Sequence, residues 1–376
     1  MTAPAATRHY LDHASTSPAR PEVVDAMLPW LSGPGAADPA RVHTEGRMAR
    51  AAVEDARERV AAFLGARPRE VVFTSGATEA INAAVWGATR RRPAGAVVAA
   101  AVEHSAVRDA SARSGAVVVP AVDGLGRLDP AALAELVTPG TALVHCQVGN
   151  HEVGTLQPVA EVVARCRERG VLVHVDAAAA AGHVPVDFAA LGADLVSVSA
   201  HKLGGPKGVG ALLVRRGLRL PPLLVGGDQE RARRAGMEDV PAIVGFGAAC
   251  ACIDVAREAA DARAHTDRLL AGLAAVAGVA AYGDPAARLP HIACVGVEGV
   301  EAEAVLLGLD QAGVAAHSGS ACSSEALEPS PVLEAMGVPA ERSLRVSVGW
   351  STTAADVDAC LEAFPRVVGR LRALVS

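Results

Sequence analysis

VVFTSGATEAINAAVWGAT, residues 71–89, reads as a strand, a turn and a helix in immediate succession. Val71-Val72-Phe73-Thr74 is a short, mostly β-branched apolar run. Ser75-Gly76-Ala77-Thr78 supplies small residues for a turn. From Glu79 to Thr89 the apolar positions Ile81, Val85 and Ala88 share one helical face. The alternation continues outward. Apolar runs at 96–100, 117–119, 141–148, 171–176, 194–199 and 211–214 read as further strands. Helices are expected between them at 105–114, after Asp129-Pro130 (a cap followed by Pro at the first helical position), and at 158–169, stopped by Gly170. Upstream, 51–64 places Val53, Ala56, Val60, Phe63 and Leu64 on one face and stops at Gly65. This order predicts an α/β fold around a mostly parallel seven-stranded sheet. After about Pro241 the pattern changes. A long Ala-rich helix is expected towards Ala264, with more helix to about Val276. Strands at 292–297 and 344–348 follow, with helices at 301–311 and 353–374, as in a smaller α+β unit.

Composition narrows the possible functions. The chain has 376 residues, 51% hydrophobic and 20% charged, which is a globular balance and long enough for a large core. Lys plus Arg is 35 and Asp plus Glu is 41, a net charge of −6 with no basic run, which speaks against binding to nucleic acid or a membrane surface. No run of about 18 apolar residues is free of charge or turn residues, so no membrane span is expected. The first twenty residues hold no basic segment leading into an apolar one, so no secretory signal is expected. Seven scattered Cys do not form a disulfide framework and suit a reducing cytoplasm. Neither HExxH nor CxxC occurs, so no metal site is expected. Only two of the 35 basic residues are Lys, and both, Lys202 and Lys207, lie in SAHKLGGPKGVG (199–210). Arg replaces Lys for charge but does not form a Schiff base, so the surviving pair points to a functional constraint.

Ligands of open α/β sheets bind at the carboxyl ends of the strands. Asp176 ends VLVHVD (171–176), and Ser199, His201 and Lys202 follow DLVSVS (194–199). The turn from Ser75 to Thr78 opens a helix, whose free N–H groups and dipole suit a phosphate. A lysine, a strand-end carboxylate and a phosphate cradle together are what pyridoxal 5'-phosphate (PLP) needs: an amine for a Schiff base, a partner for the ring nitrogen and an anchor. Among the cysteines, Cys146 and Cys294 lie in apolar strands, and Cys166, Cys250, Cys252 and Cys360 in helical stretches. All six read as small buried hydrophobes. Cys322 alone sits in a polar loop, SGSACSS (318–324), where a thiol is reachable. His9, His265 and His291 are expected to have no catalytic role.

The chain resembles the group I, NifS/IscS-type cysteine desulfurases of the class V aminotransferase family, which are fold type I PLP enzymes. The resemblance rests on YLDHASTSP (10–18), VVFTSGATEAIN (71–82), VEHSAV (102–107), GNHEVGTLQP (149–158), HVDAAAAAGHVPVD (174–187), SAHKLGGPKGVGALLVRR (199–216), SGSACSSEALEPSPVLEAMG (318–337) and LRVSVGWSTT (344–353). It implies that Lys202 holds the cofactor and moves the substrate's α proton, and that Asp176 pairs with the ring nitrogen. His104 would stack on the ring and serve in acid/base steps. Thr78, Ser199 and His201 would bind the phosphate, with backbone help from Gly76 and Ala77. Asn150 would lie near the cofactor's phenolic oxygen and the substrate, Arg345 would bind the substrate carboxylate, and Cys322 would accept the sulfur. It further implies a large PLP-binding domain at 13–253 and a small domain from 1–12 and 254–376 carrying the Cys loop. L-Cysteine would become L-alanine, and sulfur would pass through a Cys322 persulfide to an acceptor protein or small thiol, in a cytoplasmic homodimer. The alternative is another class V reaction on the same scaffold: selenocysteine lyase, aminotransferase or epimerase. The chain departs from the family pattern at Ala179, where a Gln that touches the cofactor is usual. It departs again at Met237, where a Thr reaching the partner subunit's phosphate is usual, and in GAADPARVH (35–43), which lacks the usual Asn.

Overall fold

The computed structural model describes residues 8–318 and 329–375. Its strands are β1 (His9–Tyr10), β2 (Val71–Thr74), β3 (Val97–Val98), β4 (Val117–Val118), β5 (Leu143–Gln147), β6 (Val173–Asp176), β7 (Leu195–Ser199), β8 (Gly210–Val214), β9 (Val279–Ala281), β10 (Ile292–Val297), β11 (Val314–Ala315) and β12 (Ser343–Ser347). Seven of them form one sheet in the order β2-β8-β7-β6-β5-β3-β4. Only β8 runs against its neighbours; the other pairings in this sheet are parallel. Each of the seven apolar runs anticipated from 71 to 214 is a strand here. The runs carry apolar residues at successive positions because helices cover both faces. Every residue of β5, β6, β7 and β8 is buried.

This topology places the site. β5, β6 and β7 are parallel, so Gln147, Asp176 and Ser199 end at one edge of the sheet. Two antiparallel steps through β8 turn β2 the same way, and Thr74 and Ser199 both pair with Gly210. The turn after β2 therefore opens beside the ends of β6 and β7.

A second sheet, β12-β10-β9, is antiparallel, and β1 pairs with β11 in parallel. Leu11, Leu269, Leu273, Val295, Val346 and Phe364 form a separate hydrophobic cluster over it. Helices Val255–Ala274, Ala302–Gln311 and Ala354–Val375 pack around these strands.

Some boundaries differ from expectation. The helix expected at 51–64 spans Thr44–Phe63, because His43 Nδ1 accepts the Gly46 N–H and caps it seven residues earlier. The single long helix after Pro241 is two, Val240–Cys252 and Val255–Ala274, bent by 78°. Ile253 is extended there, and the Asp254 side chain accepts from Arg257 N to start the second helix. Cys252, expected to be buried, is exposed at the end of the first helix, whereas Cys146, Cys166, Cys250, Cys294 and Cys360 are buried. No single described helix is long and apolar enough to cross a membrane.

Candidate active site

A cavity of about 520 Å³ opens at the carboxyl edge of the large sheet. Its wall includes Gly76, Ala77, Thr78, His104, Asp176, Ser199, His201, Lys202 and Arg345, nine of the eleven residues singled out from sequence. Lys207 lines it as well, so both lysines of the chain face one space. Asn150 does not. It is fully buried, its amide nitrogen donates to Val102 O, and its Oδ1 accepts from Glu152 N and Val153 N. Asn150 thus shapes the loop, and its neighbour His151 lines the cavity instead. Cys322 lies outside the described residues. His317, five positions before it, is on the cavity wall.

Lys202 follows β7 in a short 3₁₀ turn, and its Nζ donates to the backbone oxygens of Ala14 and Ser15. Burial, reinforced by the Arg345 charge and opposed by Asp12 and Asp176, brings its pKa down to about 8. Asp176 is 8% exposed. Its Oδ1 accepts from Ser197 Oγ at 3.0 Å and Ala178 N at 2.9 Å, while Oδ2 has no protein donor among the described residues. Behind this edge, buried Glu103 accepts from Gln147 N at 2.8 Å. Burial first, and the Asp176 charge second, push its carboxyl up to about 8, so it is held neutral.

Helix Ala77–Arg91 begins at Gly76, whose φ of 154° and ψ of −179° suit glycine. The first helical bond is Ala80 N to Gly76 O, which leaves the N–H groups of Ala77 and Thr78 directed out of the helix start. A Cβ on Gly76 would stand 3.6 Å from Ser199 Oγ, in the space between two elements of this wall. His201 Nδ1 bonds Thr16 Oγ1 at 3.2 Å, and burial brings its pKa down to about 4.

His104 caps helix Ser105–Ser114 by accepting Ala106 N–H at Nδ1, 3.1 Å. Burial lowers its pKa, so the ring is neutral with its hydrogen on Nε2. His151 meets it edge to face at 5.1 Å. Burial and the nearby positive groups keep His151 neutral, and its enclosed Nδ1 has no partner among the described residues. Arg345 is 1% exposed. Nη1 donates to His151 O at 2.8 Å, and Nη2 donates to Asp12 Oδ1 at 3.0 Å and Ser15 Oγ at 2.8 Å, while Nε lacks a partner among the described residues. Of the histidines set aside, His9 bonds Asp356 at 2.8 Å and His291 stacks on His183 at 3.5 Å.

Residues 9–360 match the family model for aminotransferase class-V. A cysteine desulfurase of Trichormus azollae is 42% identical over 376 residues, covering 97% of this chain and 94% of the relative. Among solved structures, a NifS-like protein matches with a TM-score of 0.89 at 30% identity, covering 97% of this chain and all of that one. The structure of SspA in complex with cysteine matches with a TM-score of 0.82 at 30% identity, covering 92% of this chain and all of that one. The likeness runs nearly end to end and takes in the strand ends that build the cavity: the chain belongs to the class V aminotransferase family.

Proposed function

We propose that the protein is a PLP-dependent cysteine desulfurase of the NifS/IscS type. It converts L-cysteine to L-alanine and passes the sulfur, through a persulfide on Cys322, to an acceptor protein or small thiol. One observation carries the cofactor assignment. The Lys202 amine, the carboxylate of Asp176 with its unpartnered oxygen, and the free N–H groups of a helix start converge on a single cavity of about 520 Å³. These are an amine, an acceptor for a ring N–H and an anion cradle, and they fit PLP. Lys202 would hold its aldehyde carbon and Asp176 its ring nitrogen. Ala77, Thr78, Ser199 and His201 would hold its phosphate. Bound there, the cofactor would supply an electron sink for charge developing at the substrate's α carbon.

The chain's own residues account for the remaining steps. With a pKa near 8, Lys202 has a neutral amine in a useful fraction close to neutral pH, so it would be able to hold the cofactor's aldehyde carbon and to take the substrate's α proton. His104 presents an Nε2–H donor from a fixed tautomer. Arg345, held by His151 O and Asp12, offers its remaining N–H groups to the substrate carboxylate, which shares Nη2 with Asp12 or displaces it. The Cys322 thiolate attacks the substrate sulfur. The S–S bond forms as the Cβ–S bond breaks, and the released electron pair goes to carbon, which is protonated to alanine. On this reading residues 13–253 form the cofactor-binding domain, and residues 1–12 with 254–376 form the smaller one. The active unit is a cytoplasmic homodimer, as the resemblance implies.

The test is product analysis. L-Cysteine with a thiol reductant should give alanine and sulfide in equal amounts. Cys322→Ala should still bind cysteine, seen as a change in the visible spectrum, but make almost no sulfide. A keto acid product from cysteine would replace the desulfurase reading with an aminotransferase one.

A further inference from the structure

Glu230, Arg231 and Ala232 have φ of 49°, 59° and 59°, and they are the described non-glycine residues with positive φ. A left-handed run of three crowds each side chain against its own carbonyl, and it persists only where the surroundings over-determine it. The Glu230 side chain is what holds it. Arg57 donates to both of its oxygens at 2.7 Å, and Phe73 N donates to Oε2 at 2.9 Å. The two side chains are 3% and 2% exposed.

Phe73 lies in β2, the edge strand, which has only β8 beside it in the sheet. The outward groups of β2 are met by side chains. Val71 O accepts from Arg57 at 3.1 Å and from Arg233 at 3.3 Å, and Phe73 N is taken by Glu230. The loop thus stands in for an eighth strand. β2 runs directly into the turn from Ser75 to Thr78. A second tie reaches that turn, because Arg234 pairs with Glu79 at 2.9 Å and Glu79 accepts Ser75 N–H at 2.8 Å.

We propose that Glu230 is a positioning residue for the phosphate turn: by capping the free edge of β2 from a strained loop, it sets where Ser75–Thr78 stand and so governs the cavity's affinity for a phosphorylated ligand. The proposal rests on the cofactor reading above. It is tested on enzyme stripped of cofactor and titrated with PLP and, separately, with pyridoxal, which has the same ring and aldehyde but no phosphate. E230Q keeps the shape of the side chain and loses its charge, and R57K keeps the charge and loses the two-pronged fork. Each should weaken PLP binding about tenfold, equivalent to ~1.4 kcal/mol, and leave pyridoxal binding unchanged. General loss of structure would weaken both ligands alike, and that result, or no loss of either, overturns the proposal. R57K supplies the reading if E230Q does not fold. A wild-type enzyme that binds PLP no better than pyridoxal overturns the cofactor reading and this proposal with it, whereas an intact preference in both variants overturns this proposal alone.

Discussion

Lys202 is buried beside Arg345, and both features disfavour its charged form, bringing its pKa from 10.5 to about 8. The sign of the consequence follows. Between about 8 and 10.5 the unfolded chain binds a proton there that the folded chain does not, so cofactor-free protein should gain stability as pH rises through that window. Below 8 the burial penalty is present in full. In the folded protein, the neutral amine needed to capture PLP should become available as pH rises through about 8. The rate at which the visible band appears on adding PLP should rise with a midpoint near pH 8, and borohydride should fix the cofactor on Lys202. A midpoint near 10.5, or trapping on Lys207, overturns the assignment. Arg345→Lys should leave that band intact but raise KM for cysteine strongly, since losing a bidentate charged contact in a desolvated site costs roughly 2–5 kcal/mol. An unchanged KM would move the role to another residue. Sequence reading reached the lysine because the chain has only two, Lys202 and Lys207, and both lie in one segment. It did not separate Asn150 from His151, because adjacent polar residues in a loop carry no periodicity that shows which one faces the cavity. Nor could it show the tie from Arg345 to Asp12, which lie 333 positions apart.

Packing at the level of elements leaves little room at the turn after β2. β8 is the one reversed strand, and it begins at Gly210, squeezed between β7 and the turn. A Cβ there would lie 2.5 Å from Val198 O and 2.7 Å from Gly76 Cα. Backbone atoms cannot swing aside as a flexible side chain would, so Gly210→Ala should displace the turn itself. We expect a stability loss of roughly 1–3 kcal/mol, typical of overpacking, together with faster loss of cofactor on dialysis. A thermal melt and a dialysis series check this, and an unchanged result in both would mean that the turn is held elsewhere. The seven strands were legible because strands covered on both faces read as continuous apolar runs. The break at Ile253-Asp254 was not, because an Asp that caps a helix looks the same in sequence as an Asp on a helix surface. β1, β9 and β11, two or three residues each, are too short to show a period of two.

At the scale of the whole molecule, two of the three departures from the family pattern, Ala179 and Met237, lie in different places. Ala179 is three residues after Asp176 and lines the cavity. Met237 is 67% exposed and does not line that cavity; with Ser75 and Gly208 it lines a smaller one of about 230 Å³. A hydrogen bond to a charged group is worth roughly 1.5–3 kcal/mol, so each departure should loosen the cofactor unless another group substitutes. A179Q adds a donor inside the protomer and should slow cofactor loss at any protein concentration. M237T can help only where a second copy brings residue 237 to its neighbour's cavity, as the family pattern implies, so its benefit should fade when the protein is diluted until the copies separate. Dialysis of both single variants and the double variant, at high and low protein concentration, distinguishes the two. The double variant should lose cofactor more slowly than the wild type at high concentration and should approach A179Q alone at low concentration. If it loses cofactor as fast as the wild type, or faster, the cavity has been rebuilt around other partners. His151 would then be the first candidate, since it lines the same wall with an unpartnered ring nitrogen. Replacing Ala179 and Met237 would in that case disturb an adapted site, where the family pattern would have led one to expect a repair.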